Sequence, residues 1–411
     1  MASQDAPPLA KTPTQDTTTK IPVPKSGSPD IYNVLSLDGG GIRGISSMVI
    51  LQRLMTRVKE IENAARVEKG RPADPADRKP VDYFDLGAGT STGGLIALML
   101  FRLEMNCTDV IASYNDLAKL VFQPKFGIIS LHKLGRLGVW LGNRWLNVKA
   151  VIGLEQYSHK PLEQAIDTVV SKFPLDKDDE ARKGEAFLVK ESKGQMFMCA
   201  TLADRGESIL LRNYAPSFAP LPISTGATNL DFSRITIKEA ARATSAAPTY
   251  LKQATIQGLN FWDGGLLNNN PIDQAWDNRY DLVGAADRSP RIKCIVSLGT
   301  THPEYKKTKD KNFIAKFFNT LSKTVAFATN TEAKHRDFER NMQQYNRRRV
   351  AMGNPDRQTL YYRFNASTGA QSVGLADYLS MPALVTYTEA YLTKPEVAKW
   401  IEECAEHLAK T

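Results

Sequence analysis

The 411-residue chain has only four cysteines, Cys107, Cys199, Cys294 and Cys404, set far apart with no CxxC pair. That argues against a zinc site or a disulfide framework and makes a reducing compartment the expected setting. The N-terminus lacks the apolar core of a secretory signal. The uncharged stretch 86–101 is interrupted by glycines and falls short of the roughly 20 residues that span a membrane. The expected location is therefore cytoplasmic, with peripheral contact at a membrane surface left open. No internal repeat is present. Apolar residues make up 42% and charged residues 24% of the chain, which excludes wholesale disorder and a fibre. A modest excess of basic residues, 53 against 44 acidic, leaves a net charge of +9. Such a balance suits a phospholipid surface and nucleic acid equally.

What is present divides the chain in three. Residues 1–29 are rich in Pro, Thr, Ser and Lys and read as a flexible tail. Regular patterning begins at Ile31. The apolar run 31–37 ends in Asp38-Gly-Gly-Gly, and a helical stripe follows with Ile45, Met48, Leu51, Met55, Val58 and Ile61 on one face. A second run, 83–87, leads through Gly-Thr-Ser-Thr-Gly-Gly into the apolar helix 95–101. Strand, glycine turn and helix, repeated, mark an α/β protein with a mainly parallel sheet. Strands 196–201 and 208–212 flank a hairpin turn at Asp204-Arg-Gly206. A helix over 237–247, stopped by Pro248, precedes strands 255–262 and 293–298. This α/β portion is assigned to 30–300. A mostly helical extension, 301–411, closes the chain. Within it Thr393-Lys-Pro-Glu396 resembles a capping box opening a helix striped with Val397, Trp400, Ile401, Cys404 and Leu408.

Three glycine-bearing turns carry the chemistry. Gly39-Gly-Gly-Ile-Arg-Gly44 satisfies GxGxxG between a strand and a helix. It fits a dinucleotide-binding turn, a plain tight turn, or a run of backbone N–H groups that holds an oxyanion. Gly89-Thr-Ser91-Thr-Gly93 matches GxSxG, also between strand and helix, the setting of a nucleophile elbow. A nucleophilic serine needs a base. Among the histidines His302, in Leu298-Gly-Thr-Thr-His302, follows a strand. The other candidate is Asp263, which ends a strand in Phe261-Trp-Asp263-Gly264-Gly265; the bland reading of that turn is an Asx turn or a helix cap.

Together Asp38-Gly-Gly-Gly-Ile-Arg-Gly44, Gly89-Thr-Ser-Thr-Gly93 and Asp263-Gly-Gly265, with Ala241-Arg-Ala-Thr-Ser-Ala-Ala-Pro248 between the last two, resemble the patatin-like phospholipases. The likeness runs from about Ile31 to Gly299, with the motifs in family order. The end of the chain and Tyr157-Ser-His-Lys-Pro-Leu162 look like fungal members. The resemblance implies a three-layer α/β/α sandwich and a Ser–Asp dyad without histidine. Carried over by motif, Ser91 is the nucleophile and Asp263 the base. Gly39, Gly40 and Gly41 form an oxyanion hole supported by Arg43, and Gly89, Gly93, Gly264 and Gly265 shape the two turns. It also implies hydrolysis of acyl esters of phospholipids, lysophospholipids or other acyl lipids without calcium, and no metal or other cofactor.

Residues 117–154 contain no acidic residue. Lys119, Lys125, Lys133, Arg136, Arg144 and Lys149 alternate with apolar and aromatic side chains. This composition fits a lid or membrane-docking segment, and equally a cap packed on the core. No nucleic-acid motif accompanies the basic clusters, so nucleic acid is not an expected partner. The C-terminal apolar stripe is expected to pack on its own domain or against a second subunit. Beside the hydrolase stands one alternative: a module of the same fold that shows little activity until a partner or membrane activates it.

Overall fold

The computed structural model describes residues 31–122, 157–216, 230–248, 250–283, 289–302, 331–369 and 373–410, with the backbone of 125–126, 129–130, 224–225 and 228–229. The expected tail 1–29 and most of the 117–154 segment lie outside the described residues, which include 117–122 and the backbone of 125–126 and 129–130.

Eight strands form one sheet: β1 (Ile31–Leu37), β2 (Leu86–Thr90), β3 (Gln195–Leu202), β4 (Glu207–Arg212), β5 (Ala254–Ile256), β6 (Leu259–Asp263), β7 (Arg291–Leu298) and β8 (Leu360–Phe364). From one edge the order is β8-β7-β1-β2-β3, and these five strands run parallel. β4 pairs antiparallel with β3, as does the β5–β6 hairpin through β6. Alternation along β1 explains the layers. Leu35 and Leu37 join the core beneath α1 (Gly44–Glu68), α3 (Cys107–Phe122), α4 (Lys160–Lys172), α5 (Ile237–Thr244), α8 (Met381–Leu392) and α9 (Pro395–Leu408). Tyr32 and Val34 join the core beneath α6 (Ile272–Asp277) and α7 (Thr331–Ala351). Both faces are covered, which is why the central strands read as continuous apolar runs. α2 (Thr92–Ala97) follows β2 and passes into a π-helical turn, Leu98–Arg102. This is the three-layer α/β/α sandwich that the motifs imply. Among the described residues no helix is long and apolar enough to cross a membrane.

Several local expectations need correction. The run 83–87 enters the sheet only at Leu86, because the Tyr83 hydroxyl is held 2.9 Å from both Glu62 carboxylate oxygens on α1. The run 255–262 is a hairpin, turned at Gln257 and Gly258 with φ 50° and 83°, the pair of positive angles that suits a two-residue hairpin turn. The capping box expected at Thr393 is absent. α9 starts after Lys394, and the Thr393 hydroxyl instead donates to the Ala390 carbonyl of α8 (2.9 Å). A reciprocal capping box stands at Thr236 and Glu239, opening α5. In α9 the stripe buries Val397, Ile401, Cys404 and Leu408 but leaves Trp400 exposed.

The extension after 300 is also more than helical, since it supplies edge strand β8. The Arg363 side chain on β8 is only 5% exposed and reaches Asp38, the residue that opens the first glycine turn. Its guanidinium donates to both carboxylate oxygens (3.0 and 2.6 Å), to Glu332 Oε1 (2.7 Å) and to Ser297 Oγ (3.0 Å). Burial pushes the Asp38 pKa upward, and the guanidinium works against that shift. Removing the cation strands two carboxylates, and breaking a buried pair costs about 3–5 kcal/mol. Arg363→Met is therefore expected to lower the urea midpoint strongly, and adding Asp38→Asn to recover part of the loss. An unchanged midpoint would mean the pair is dispensable.

Candidate active site

Register alone brings the two key turns together. β2 and β6 pair with the same edge of β3, because β4 occupies the other edge alongside both. Thr90 lies opposite Cys199 and Asp263 opposite Ala200, the next residue along β3. Ser91, one step past the end of β2, therefore meets the end of β6.

Ser91 has φ 52° and ψ −123°, a conformation disfavoured for a residue with a side chain. Such backbone costs roughly 1–3 kcal/mol and persists only where its surroundings enforce it. Here the enforcement is visible. A Cβ on Gly89 would lie 2.2 Å from the Gly93 carbonyl oxygen, and one on Gly93 would lie 2.2 Å from that of Leu37. The Ser91 amide donates to Thr244 Oγ1 (2.9 Å), and that hydroxyl donates to the Cys199 carbonyl (2.7 Å). Thr244 thus ties the elbow to β3 from the end of α5, which stops at this residue rather than at 247. Nothing had singled it out within the Ala241–Pro248 segment.

Asp263 is buried. Its Oδ1 accepts the Gly265 amide (2.7 Å), and the Ser91 side chain stands beside the same carboxylate at the cavity wall. Its backbone is held on both sides, by the Ala246 carbonyl and the Thr201 hydroxyl. Burial pushes its pKa up to about 6, against the lowering by the neighbouring Ser91 hydroxyl and the Gly265 backbone amide. The Gly264 carbonyl receives the amides of Leu267 and Asn268, which starts a short helix immediately after the turn.

The first glycine turn lies beside this pair. The Gly39 amide is already taken by the Asn269 carbonyl (2.8 Å), so the expectation that all three glycines offer free donors is corrected to two. Among the described residues the Gly40 and Gly41 amides make no hydrogen bond. Gly41 has φ 55°. Its carbonyl accepts Thr92 Oγ1 (2.9 Å) and the Tyr114 hydroxyl, and the Ile42 amide donates to the Leu375 carbonyl (2.9 Å). Arg43 folds back on the turn, with its amide and Nε each 3.2 Å from the Gly40 carbonyl. Burial lowers the Arg43 pKa, opposed mainly by Tyr250 and Tyr114 and then by Asp38.

Ser91, Asp263, Gly40, Gly41 and Arg43 line one cavity of about 190 Å³. Its other walls are mainly apolar, with Leu95, Leu117, Val121, Phe122, Leu162, Leu251 and Leu375 beside Tyr114 and Tyr250, while Thr92, Ser245 and Asn269 add polar groups. Among the described residues no histidine lines it. His302 lies in a bridge to Ser367, its amide bonded to the Ala366 carbonyl, so the histidine alternative finds no support in the geometry. Among the described residues Asp263 is the only acidic one in the lining, and its Oδ1 already accepts the Gly265 amide. The one group of three acidic residues close enough to share a cation among the described residues is Asp176, Asp178 and Asp179; Asp179 there is bound by Arg102 and Lys190. Tyr114 and Leu375 were invisible as site residues, since no motif surrounds either.

A sequence model described as patatin-like phospholipase matches residues 35–276. Patatin-like phospholipase 1 of Plasmodium falciparum is 28% identical over 353 residues, covering 81% of this chain and 43% of the relative. The cGAMP-activated phospholipase of Escherichia coli is 28% identical, covering 66% of this chain and 63% of the relative. The 85/88 kDa calcium-independent phospholipase A2 of Rattus norvegicus is 28% identical over 65% of this chain and 27% of its own length. The chain thus spans less than two thirds of each of these relatives. Among solved structures, VipD from Legionella pneumophila is similar at a TM-score of 0.29 and 13% identity, covering 96% of this chain and 79% of that one. With the family match extending over more than half of its length, the chain belongs to the patatin-like phospholipase family.

Proposed function

We propose that the protein is a calcium-independent acyl hydrolase that cleaves fatty-acyl esters of phospholipids or lysophospholipids through a Ser91–Asp263 dyad. The observation that carries this reading is the meeting of a strained serine with a buried carboxylate at the wall of an apolar cavity.

The steps follow from the geometry. Ser91 Oγ attacks the ester carbonyl carbon, and its proton passes to the Asp263 carboxylate. The carbonyl oxygen becomes an oxyanion and accepts the Gly40 and Gly41 amides. As the C–O bond breaks, the leaving alcohol takes the proton from Asp263 and an acyl-enzyme remains. Water attacks that ester, gives a proton to Asp263, and the released serine recovers it. An ordinary aspartate, with a pKa of about 3.9, is a weak base, and burial improves it. The apolar walls suit an acyl chain. Calcium has no role in this reading: among the described residues the lining offers one carboxylate, whose Oδ1 already accepts the Gly265 amide, whereas a calcium site needs about 6–8 oxygens. Peripheral membrane contact belongs to the same proposal. α3 lines the cavity with Leu117, Val121 and Phe122, leaves Leu120 exposed, and leads into the basic and aromatic segment.

The test is fatty-acid release from mixed vesicles of phosphatidylcholine, phosphatidylglycerol and lysophosphatidylcholine, with calcium present and with calcium chelated. Equal release under both conditions is expected. Release that requires calcium would contradict the mechanism, and no release from any acyl ester would overturn the function.

A further inference from the structure

Each oxyanion donor is one end of a planar peptide unit whose other end is a carbonyl. Gly41 N–H shares its peptide with the Gly40 carbonyl, which Arg43 holds. Gly40 N–H shares its peptide with the Gly39 carbonyl, and no residue of the glycine turn holds that group. It is held by Thr300, whose Oγ1 donates to the Gly39 carbonyl at 2.8 Å. No peptide bond here is cis. A hydrogen bond on the carbonyl therefore fixes where the N–H on the opposite side points, and polarises it.

Thr300 is built to do this. It is buried, two residues past the end of β7 and outside the 35–276 family match. Its neighbours are pinned to the C-terminal extension: Gly299 N–H donates to the Phe364 carbonyl (2.8 Å) and Thr301 N–H to Asn365 Oδ1 (2.8 Å). The hydroxyl thus reaches the turn from a segment clamped to β8. We propose that Thr300 is a positioning residue, which through the Gly39 carbonyl aims the Gly40 N–H into the oxyanion hole. This rests on the reading of Gly40 as an oxyanion donor.

The test compares Thr300→Val, which keeps the shape and removes the hydroxyl, with Thr300→Ser, which restores it. Losing a whole donor costs about 10²–10³ in kcat, and a donor left in place but badly aimed should cost less, on the order of 10–30-fold. Thr300→Val is expected to lose that much kcat on a lysophospholipid with KM within about twofold, because the hydroxyl acts on the transition state and not on chain binding. The rate at which an alkyl fluorophosphonate inactivates the enzyme should fall in parallel. Thr300→Ser should regain most of both. If Thr300→Val does not fold, Thr300→Ala must show the same split. A folded variant lacking the hydroxyl with native kcat and native inactivation rate overturns the inference alone. So does a fall in kcat that Thr300→Ser does not reverse. A native protein that hydrolyses no acyl ester overturns both this inference and the function it rests on.

Discussion

Asp263→Asn is expected to lower kcat about a thousandfold while making the folded protein more stable. The loss follows from the base: general-base catalysis contributes about 10²–10⁴-fold, and an amide cannot take the serine proton. The gain follows from burial. In the folded protein the Asp263 pKa stands at about 6, above the ordinary 3.8. A carboxylate raised in this way stabilises the fold below the unfolded value and loses that contribution as pH rises through the folded one. Above pH 6 the native protein therefore carries an ionised group that its interior disfavours, worth roughly 3 kcal/mol over the gap. Asparagine does not ionise. Urea unfolding of the two proteins should thus differ most at pH 8, with the variant more stable, and converge toward pH 4. The native enzyme's kcat/KM should rise with pH through about 6 as one proton is lost. A variant less stable at pH 8, or a native rate independent of pH between 5 and 7, would count against Asp263 as a buried base.

Gly40→Ala is the second large effect. A Cβ there would stand 2.1 Å from Thr300 Oγ1 and 2.5 Å from Thr300 Cβ. Thr300 cannot yield, since its neighbours are bonded to the C-terminal extension on both sides. The turn must move instead, and the two amides move with it. Loss of an oxyanion donor costs about 10²–10³ in kcat, so a fall of that size is expected with KM little changed. Gly70→Ala serves as the control. A Cβ at Gly70 meets nothing within 4 Å, and at its φ of 70° an alanine is strained only locally, outside the site. Its hydrolysis rate should stay native. Equal losses in both variants would show that the Gly40 effect is only instability.

Much of this arrangement was legible in the sequence because its parts are local. A glycine turn between an apolar run and a helix is written in seven consecutive residues, and three such turns in order suffice to place Ser91 and Asp263. Strand β1 and helix α1 were equally plain, β1 as a continuous apolar run and α1 as a stripe at a period of about 3.6. What stayed hidden is held by distant parts of the chain. Arg363 lies 325 residues from Asp38 and Thr300 lies 261 from Gly39, and nothing local signals either contact. β8 escaped notice since Leu-Tyr-Tyr-Arg-Phe is mostly half-buried at an edge, with a charged residue whose partners are on other elements. The 257–258 turn was missed because Gln-Gly is not among the usual hairpin pairs. The motif offers three glycine amides in the first turn, and only the Asn269 carbonyl distinguishes the first from the other two.

The central claim is that Ser91 is the nucleophile, and one measurement addresses it most directly. The native protein is treated with an alkyl fluorophosphonate with calcium chelated, and the adduct is mapped by peptide mass spectrometry while acyl release is followed. The account predicts one adduct per chain, on Ser91, forming at the rate at which hydrolysis disappears, and absent from Ser91→Ala. An adduct on another residue that tracks the loss of activity, or full labelling of Ser91 with hydrolysis intact, would contradict it.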